Sequence, residues 1–399
     1  MTQSSVHTSY DVIIVGGAMY GSSIAWFLAN HPQFDGRILV VERDPTYKWT
    51  STSHTNSCIR QQFSAPINIK ISQFGANYVK TFRAQMGDDI RVPDVVLQSF
   101  GYMYLAGTAA GADALRATQM IQAINGAGTK HLTADQIKDA YPFYNMDDIV
   151  AGNHNLIDEG YFDGNTLFDW WKRSAREKGV EYIHNCVVSM TTTKAAVQSV
   201  TLANGDVIAC GCVVNASGPR AVVTSRMAGI EIPVEPRKRY TFIFAAADPL
   251  DRDLPLTIDP SGVHMRTEGK YYLAGCAPDD DGAVDYNDFV QDHNIWEEKI
   301  WPVLAHRIPS FERIKLMNSW VGHYAYNIFD QNAIIGAHPQ MKNFIFANGF
   351  SGHGFQQAPA IGRGIAELIS TGRYQTLDLT PFSVNRIIAD EKFLEIAII

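Results

Sequence analysis

DVIIVGGAMYG, residues 11–21, is a short apolar run that ends in glycines. Such a run is typical of a strand that is buried on both faces of a parallel sheet. Residues 22–30 follow with apolar side chains at helical spacing, and RILVVE, residues 37–42, reads as the next parallel strand. The three segments together predict one βαβ unit of an α/β fold.

The glycines of this unit form a variant of the phosphate-binding pattern G-x-G-x-x-G, placed between a strand and a helix. Gly16 permits the tight turn, and Gly21 lets the helix approach the strand. Free N–H groups at the helix N-terminus are then expected to face a pyrophosphate. Ala18 departs from the pattern, because its methyl group takes up room where the backbone approaches the phosphate. The predicted dinucleotide contacts of this run are Gly16, Gly17, Ala18, Met19, Tyr20 and Gly21.

Glu42 stands at the end of the second strand. An acid at this place accepts a hydrogen bond from a ribose hydroxyl of the bound nucleotide. The strand, the glycine turn, the helix and the acid therefore indicate a dinucleotide, although they do not separate NAD from FAD. The alternative is a glycine turn that binds no nucleotide.

The composition limits the class of protein and its partners. With 399 residues, 46% of them hydrophobic and 19% charged, the chain is long enough for two globular domains. The net charge of -8 argues against a nucleic-acid partner, since phosphate binding normally shows as a basic excess. Five scattered cysteines suit a reducing compartment. No secretory signal or membrane-spanning segment is evident, so we expect a cytoplasmic protein.

Two kinds of segment alternate along the rest of the chain. Residues 213–219 and 344–349 are apolar runs that end in small residues, as expected of buried strands that deliver backbone to a ligand. Residues 95–105, 238–245 and 263–275 alternate apolar with polar or aromatic residues, which predicts an antiparallel sheet. The predicted domains are a discontinuous nucleotide-binding domain, residues 1–90, 150–232 and 325–399, and a substrate-binding domain, residues 91–149 and 233–324.

Motifs spread over nearly the whole chain resemble the D-amino-acid oxidase superfamily of FAD-dependent oxidoreductases, particularly its sarcosine oxidase, glycine oxidase and D-arginine dehydrogenase branches. The most specific motif is GFSGHGF, residues 349–355, which is similar to the sarcosine-oxidase segment that lies against the flavin. The other motifs are ERD at 42–44, IRQQFS at 59–64, DEGYFD at 158–163, VVNASGP at 213–219 and WVG at 320–322.

The resemblance implies that FAD is the cofactor, within a Rossmann-like FAD-binding domain that carries an inserted antiparallel-sheet substrate domain. It places the isoalloxazine ring between the two domains and the substrate on the side of the antiparallel sheet. The further flavin contacts that it implies are Arg43, Ser51, Thr52, His54, Val187, Ala216, Ser217, Gly218, Gly349, Ser351, Gly352, His353, Gly354, Phe355 and Gln356.

Arg60 is the residue that we expect to bind the substrate. By the resemblance it falls at the arginine that binds the substrate carboxylate in sarcosine oxidase, and a guanidinium matches a carboxylate with two parallel hydrogen bonds. The alternative is an arginine paired with a structural carboxylate. Gln356 stands where sarcosine oxidase has a lysine, and Tyr324 stands where glycine oxidase and D-arginine dehydrogenase use an arginine. The substrate anchor is therefore expected to be rearranged.

Four further residues are candidates for shaping the substrate pocket. Tyr326, if one gap is allowed, resembles the active-site tyrosine of sarcosine oxidase, and His353 resembles its histidine; packing is the alternative for both. His264 and Arg266 share one face of a predicted strand, because side chains alternate along a strand. A cation beside an imidazole would suit a substrate with a second acidic group, and a solvated strand face is the alternative.

The reaction implied by the resemblance is oxidation of the C–N bond of a carboxylate-bearing amine, either a secondary or N-alkyl amino acid or a D-amino acid. Hydride passes to flavin N5, and the imine hydrolyses. Two alternatives stay open: a 2-hydroxy-acid dehydrogenase, and an FAD-stabilised assembly or binding factor with little turnover. CGC at 210–212 and DDD at 279–281 lack the ligand spacing of a metal site, so no metal is expected.

The electron acceptor and the flavin attachment are expected from the same resemblance. A quinone, a dye or an electron-transfer protein should be reduced faster than oxygen, because Leu273 falls where sarcosine oxidase has an oxygen-activating lysine. A shift of register would bring Lys270 or Arg266 to that place instead. We expect FAD to be non-covalent, with His54 as the alternative attachment site, since residues 51–54 resemble the segment where dimethylglycine dehydrogenase attaches its flavin.

Overall fold

The computed structural model describes residues 2–396. Its strands are β1 (Ser9–Val15), β2 (Ile38–Glu42), β3 (Cys58–Ile59), β4 (Tyr102–Ala106), β5 (Lys130–Thr133), β6 (Ala151–Asn155), β7 (Gly160–Tyr161), β8 (Glu181–His184), β9 (Val187–Thr192), β10 (Val197–Leu202), β11 (Val207–Asn215), β12 (Val234–Ala246), β13 (Leu256–Ile258), β14 (His264–Glu268), β15 (Tyr271–Cys276), β16 (Ile314–Asn327), β17 (Ile334–Ala337) and β18 (Phe344–Asn348). Its α-helices are α1 (Met19–Ala29), α2 (Pro66–Lys80), α3 (Phe82–Gln85), α4 (Ala109–Ile124), α5 (Ala134–Ala140), α6 (Gly164–Glu177), α7 (Ala221–Met227), α8 (Trp301–Arg307), α9 (Gly354–Thr371) and α10 (Asn385–Ile388).

The first sheet contains the predicted βαβ unit. Strands β1 and β2 pair in parallel, with Val12 opposite Ile38, and α1 connects them. Strand β11 joins the other side of β1, also in parallel, and the order across the sheet is β17-β18-β11-β1-β2-β8, with β10 and β9 continuing from β11. The carboxyl ends of the parallel strands meet at one edge, so the glycines after β1 and the small residues after β11 and β18 come together there.

Both faces of the first sheet are covered, which explains why β1 and β2 read as unbroken apolar runs. On one face α1 packs against α6 and α9. A Cβ at Gly362 of α9 would collide with Ser23 of α1, so this glycine sets how closely the two helices approach. On the other face, Ile13 and Leu39 pack with Val222 of α7.

The second sheet has the order β16-β12-β15-β14-β13-β4-β6-β5 and is antiparallel except for the pair β13 and β4. One face packs Phe242, Phe244 and Met265 against α8 and its neighbouring segments. Thr241 and His264 lie on the opposite face, since both are in register with Gly275 of β15. The antiparallel sheet expected from the alternating segments is thus present. Among residues 2–396, no helix is long and apolar enough to cross a membrane.

Two of the predicted segment boundaries do not match the sheets. Strand β6 belongs to the second sheet, although the range 150–232 assigned it to the nucleotide-binding domain. Its sequence, AGNHN, has no alternation of apolar residues that would mark it as a strand of the second sheet. The strand is nevertheless fully buried, because its amides form hydrogen bonds with other side chains such as His131 and Glu159. Strand β16 also runs past the boundary at 325. Residues 397–399, at the end of the range 325–399, lie outside the described residues.

Candidate active site

A cavity of about 720 Å³ lies between the two sheets, within the usual size range of small-molecule sites. One half of its wall, here named the nucleotide half, is formed by the ends of β1, β2 and β11 and by the start of α1. The other half, here named the substrate half, is formed by residues 54–60, by parts of β12, β14 and β16, and by residues 350–356.

Backbone geometry shapes the nucleotide half. Gly16 has a φ of 97°, and a Cβ there would lie 2.6 Å from the carbonyl oxygen of Ala216. A Cβ at Gly21 would collide with the carbonyl oxygen of Gly16. Only glycine fits these two positions, the first because of its left-handed conformation and both because of close contacts. Gly17 and Gly21 shape the turn but do not themselves line the cavity, so their predicted contact with the nucleotide stays a prediction.

The N-terminus of α1 opens onto the same half of the cavity. Ala18, the N-cap residue, has no side chain that could accept a hydrogen bond from the helix, and Thr52 Oγ1 accepts one from the backbone N–H of Met19 at 3.3 Å. The first N–H groups of a helix need acceptors, and an anion supplies them. Ala18, Met19 and Tyr20 line the cavity. The arrangement suits a phosphate group.

Glu42 is buried beside this turn. Its carboxylate accepts hydrogen bonds from the backbone N–H groups of Gly17 and Asp44, each at 2.8 Å. Burial raises the pKa of Glu42, and these two N–H groups lower it. The carboxylate therefore holds the glycine turn as well as lining the cavity, a role that its predicted ribose contact did not include.

Most of the other predicted flavin contacts also line the cavity. These residues are Arg43, Ser51, Thr52, His54, Val187, Ala216, Ser217, Gly218, Ser351, Gly352, His353, Gly354, Phe355 and Gln356. Gly349 does not line the cavity, and its contact with the flavin stays a prediction. It has a φ of 69° and turns the chain after β18, where a Cβ would lie 3.2 Å from the Cβ of Asn327.

A family model described as "DAO: FAD dependent oxidoreductase" matches residues 11–368. The chain belongs to this family. FAD-dependent oxidoreductase domain-containing protein 1 of Xenopus laevis is 36% identical over 420 residues, which cover 96% of this chain and 84% of that protein. The L-proline dehydrogenase structure from P.horikoshii has a TM-score of 0.84 at 24% identity, covering 97% of this chain and 100% of that one. Glycine oxidase from Geobacillus kaustophilus has a TM-score of 0.80 at 21% identity, covering 95% and 99%.

Membership of the DAO family confirms the predicted α/β fold and the assignment of FAD. The residues present fit this cofactor. The uncapped end of α1 supplies N–H groups for a pyrophosphate, and a Cβ at Gly218 would meet only open space, so the cavity is wide beside this glycine. Gly16, Ala18 and Glu42 would therefore hold the nucleotide part of FAD, and residues 350–356 would lie along its ring system.

Arg60 is buried at the wall of the substrate half, as expected of a carboxylate ligand. Its guanidinium lies 4.5 Å from the ring centroid of Phe63. Its backbone N–H donates to Oε1 of Gln356 at 2.7 Å, which ties the arginine to the start of α9. Gln356, which stands where the resemblance puts the lysine of sarcosine oxidase, thus holds the backbone of Arg60. No motif indicated this contact between distant segments.

Glu159 is a buried carboxylate close to Arg60 that the sequence analysis did not single out. It accepts hydrogen bonds from the backbone N–H of Gln61 at 2.7 Å and from the side chains of Gln62 and Asn155. Burial raises the pKa of Glu159 to about 7, against the lowering effect of these donors and of Arg60. The carboxyl group therefore changes charge near neutral pH. Its only sequence signal was its place in the DEGYFD motif.

His353 lies at the cavity wall and carries no charge at neutral pH. Burial, followed by the nearby Arg60 charge, lowers the pKa of His353 to about 3. Its ring meets Phe63 edge to face, with the centroids 5.4 Å apart. This side chain can therefore shape the pocket and share a hydrogen bond, but it is not a cation for the substrate.

Tyr324 lines the cavity, whereas the predicted Tyr326 does not. A Cβ at Gly352 would collide with the Tyr324 ring, so this glycine lets the ring lie against the loop before α9. The Tyr326 ring instead packs under the guanidinium of Arg237, 4.0 Å from its centroid. Residues two apart share a strand face, so the alternation alone could not choose between the two tyrosines. Tyr324 replaces Tyr326 as the pocket residue.

His264 and Arg266 share a strand face as predicted, but only His264 lines the cavity. Arg266 forms an ion pair with Glu268 and donates to the backbone carbonyl of Asn56. The cation at this wall is instead Arg239 of β12, whose guanidinium lies 4.6 Å from the ring centroid of Tyr324. The guanidinium of Arg266 pairs with Glu268, which lies two residues later on the same strand, and Arg266 therefore does not line the cavity.

Leu273, Lys270 and Arg266, the three residues considered for oxygen activation, do not line the cavity. Leu273 is buried in β15, in register with Arg266. Lys270 lies in the turn before β15, with its ammonium over the ring of Tyr271. Within residues 2–396, the cations that line the substrate half are Arg60 and Arg239.

Proposed function

We propose that this member of the DAO family oxidises the C–N bond of a carboxylate-bearing amine. The observation that carries the proposal is the buried guanidinium of Arg60 at the wall of the substrate half. A permanently charged, buried fork is suited to a carboxylate and poorly suited to a neutral substrate. The names of two structural neighbours, L-proline dehydrogenase and glycine oxidase, point to the same class of substrate.

Binding and orientation are the work of this chain's residues. Arg60 would anchor the substrate carboxylate, and Gln356 would hold the backbone of Arg60 in place. Tyr324 and the neutral His353 would limit how the amine turns within the pocket. Fixing the carbon beside the nitrogen in one orientation removes most of the entropic cost of reaction.

Bound FAD would accept hydride from the carbon beside the amine nitrogen. The nitrogen lone pair would form the C=N bond of an iminium ion, and the N–H proton would pass to water to leave the imine. Water would add to this imine and release a carbonyl compound and an amine. The two electrons would finally pass to a quinone, an electron-transfer protein or oxygen. In this scheme no side chain has to act as a strong base.

The test is anaerobic bleaching of the purified yellow protein. N-methyl amino acids, cyclic secondary amino acids and both enantiomers of primary amino acids are compared with 2-hydroxy acids of the same carbon skeleton. Amines should bleach the flavin and hydroxy acids should not. Bleaching by the hydroxy acids alone would make the protein a 2-hydroxy-acid dehydrogenase. No bleaching, together with a stoichiometric protein partner in a pull-down, would favour the assembly or binding factor.

A further inference from the structure

We propose that the substrate carries a second acidic group, bound by Arg239 and His264 on the wall of the second sheet. The substrate would then be a dicarboxylic amine with one carboxylate at Arg60. This inference rests on the function proposed above and narrows its substrate class. It replaces the expected pair of His264 and Arg266, because Arg266 does not line the cavity.

Among the described residues that line the cavity, the charged groups of the substrate half are all cations, whereas the nucleotide half carries both signs, with Arg43 among its cations. Among residues 2–396, the carboxylates that line the cavity are Glu42 and Asp44, and both belong to the nucleotide half at the end of β2. The substrate half presents the guanidinium groups of Arg60 and Arg239. Two buried guanidinium groups on one wall favour a ligand with acidic groups, because Coulomb interactions are strong where water is excluded, although carboxylates outside the cavity wall offset part of each charge.

Arg239 is held in place by an ion pair behind the wall. Its Nη1 and Nη2 donate to the two carboxylate oxygens of Asp281 at 2.6 and 2.9 Å, and Asp281 itself does not line the cavity. The Nε of Arg239 is buried and has no hydrogen-bond partner within the described part of the chain. A buried donor without an acceptor is costly, and a ligand carboxylate would supply the acceptor.

His264 offers a second donor beside Arg239. Burial, followed by the charges of Arg266 and Arg239, lowers the pKa of His264 to about 4, so the ring is neutral at neutral pH. Its Nε2 lies 3.0 Å from Nδ2 of Asn56. An amide nitrogen only donates, so Nε2 accepts and the proton is on Nδ1. That Nδ1 is also buried without a partner among the described residues.

Tyr324 shows that the two cations act on the same part of the cavity. Burial raises the pKa of Tyr324, and the charges of Arg239 and Arg60, in that order, lower it. A ligand beside Tyr324 therefore experiences both guanidinium groups. A substrate with a basic side chain would be repelled by them, and a substrate with an apolar one would leave two donors without acceptors.

The experiment compares substrates of matched shape. Anaerobic stopped-flow reduction of the FAD holoenzyme is measured with N-methylaspartate against N-methylleucine, and with N-carboxymethylglycine against N-isobutylglycine, in both enantiomers where they exist. In each pair an isopropyl group replaces the second carboxylate. The ratio of the reduction rate constant to Kd should favour the dicarboxylic member of at least one pair by about tenfold or more.

Variants test the assignment to Arg239. Arg239→Gln should lower the preference for the dicarboxylic substrate by about tenfold, and Arg239→Lys should restore part of it because the charge is kept. Arg237→Gln is the matched control. This variant removes a guanidinium that lies on the same strand and that also pairs with Asp281. Because Arg237 does not line the cavity, the preference for the dicarboxylic substrate should stay as in the wild type.

The outcomes separate this inference from the proposed function. Equal reduction by both members of every pair would overturn the second acidic group and leave amine oxidation intact. A preference that persists in Arg239→Gln would overturn the role of Arg239. Failure of every amine to reduce the flavin would overturn the proposed function itself, and the inference with it.

Discussion

The two halves of the cavity are built by different means. The nucleotide half uses backbone: glycines that permit close approach and N–H groups at the start of α1. The substrate half uses side chains from distant segments, such as Arg60, Arg239 and His264. Backbone recognition is specified by a short local sequence, whereas side-chain recognition is specified by which segments the fold brings together. We therefore expect changes in the first half to remove FAD and changes in the second half to alter substrate choice.

The largest expected effect is the loss of flavin from Gly16→Val or Gly21→Val. Either side chain would collide with backbone, at Ala216 or at Gly16, and Gly16 also has a φ of 97°. We expect colourless or unstable protein, measured as the flavin-to-protein absorbance ratio after purification. Gly205→Val is the control, because Gly205 has a φ of 92° but its Cβ would meet nothing within 4 Å. Flavin retained at the wild-type ratio in Gly21→Val would show that the close contact at Gly21 is not needed for FAD binding.

The next effect is on the substrate half. Arg60→Ala should lower kcat/KM for a carboxylate-bearing amine. The loss should correspond to about 2–4 kcal/mol of transition-state stabilisation, because a buried carboxylate would lose its ionic partner. Arg60→Lys should recover part of this loss, since it keeps the charge without the fork. The flavin-to-protein ratio is measured alongside and should not change, because Arg60 lies in the other half. Wild-type kinetics in a folded Arg60→Ala variant would contradict the role of Arg60.

A smaller effect concerns pH. The pKa of Glu159 is raised to about 7, so its charge appears as the pH rises through neutrality. That charge opposes the arriving carboxylate near Arg60, and KM should therefore rise by about threefold to tenfold above pH 7. His353 does not titrate in this window, because its pKa is lowered to about 3.

Glu159→Gln should flatten this pH dependence and keep KM at its low-pH value. Asp158→Asn is the neighbouring control, because Asp158 pairs with Lys80 at the surface and should leave the KM profile unchanged. Steady-state kinetics from pH 5.5 to 8.5, with a substrate that does not itself titrate there, make the measurement. An unaltered profile in Glu159→Gln would assign the pH dependence to another group.

The smallest expected effect is that of removing His54, the residue considered for covalent attachment. Its Nδ1 lies 2.9 Å from the backbone carbonyl of Thr50, and its ring stacks on Trp49 and Phe289. We expect FAD to be non-covalent, so acid precipitation should leave the yellow colour in the supernatant for both the wild type and His54→Ala. Flavin in the wild-type pellet that moves to the supernatant in His54→Ala would identify a covalent bond at this histidine.

The sequence predicted the βαβ unit of the nucleotide half, because the glycine run, α1 and β2 are contiguous and their structure is specified locally. Arg60 was found through a motif resemblance. Arg239 was missed, because it stands beside Arg237 and Lys238 in a basic run that reads as a strand entry, and only the packing of the second sheet decides which of them faces the cavity.

Other parts of the substrate half could not be derived from pattern alone. Tyr324 and Tyr326 have the same strand periodicity, and the space that Gly352 leaves for a ring distinguishes them. Glu159 is a polar residue whose burial follows from bonds to Gln61, Gln62 and Asn155. Burial of polar groups depends on partners that are distant in sequence, so alternation does not reveal it.

The measurement that tests the account most directly combines one substrate change with one residue change. Anaerobic reduction of bound FAD is followed for an N-methyl amino acid and for its methyl ester, in the wild type and in Arg60→Ala. We expect the wild type to reduce FAD with the acid about a hundredfold faster than with the ester at subsaturating concentration, and Arg60→Ala to show almost no such preference. An equal preference in both proteins, or no reduction by either compound, would contradict it.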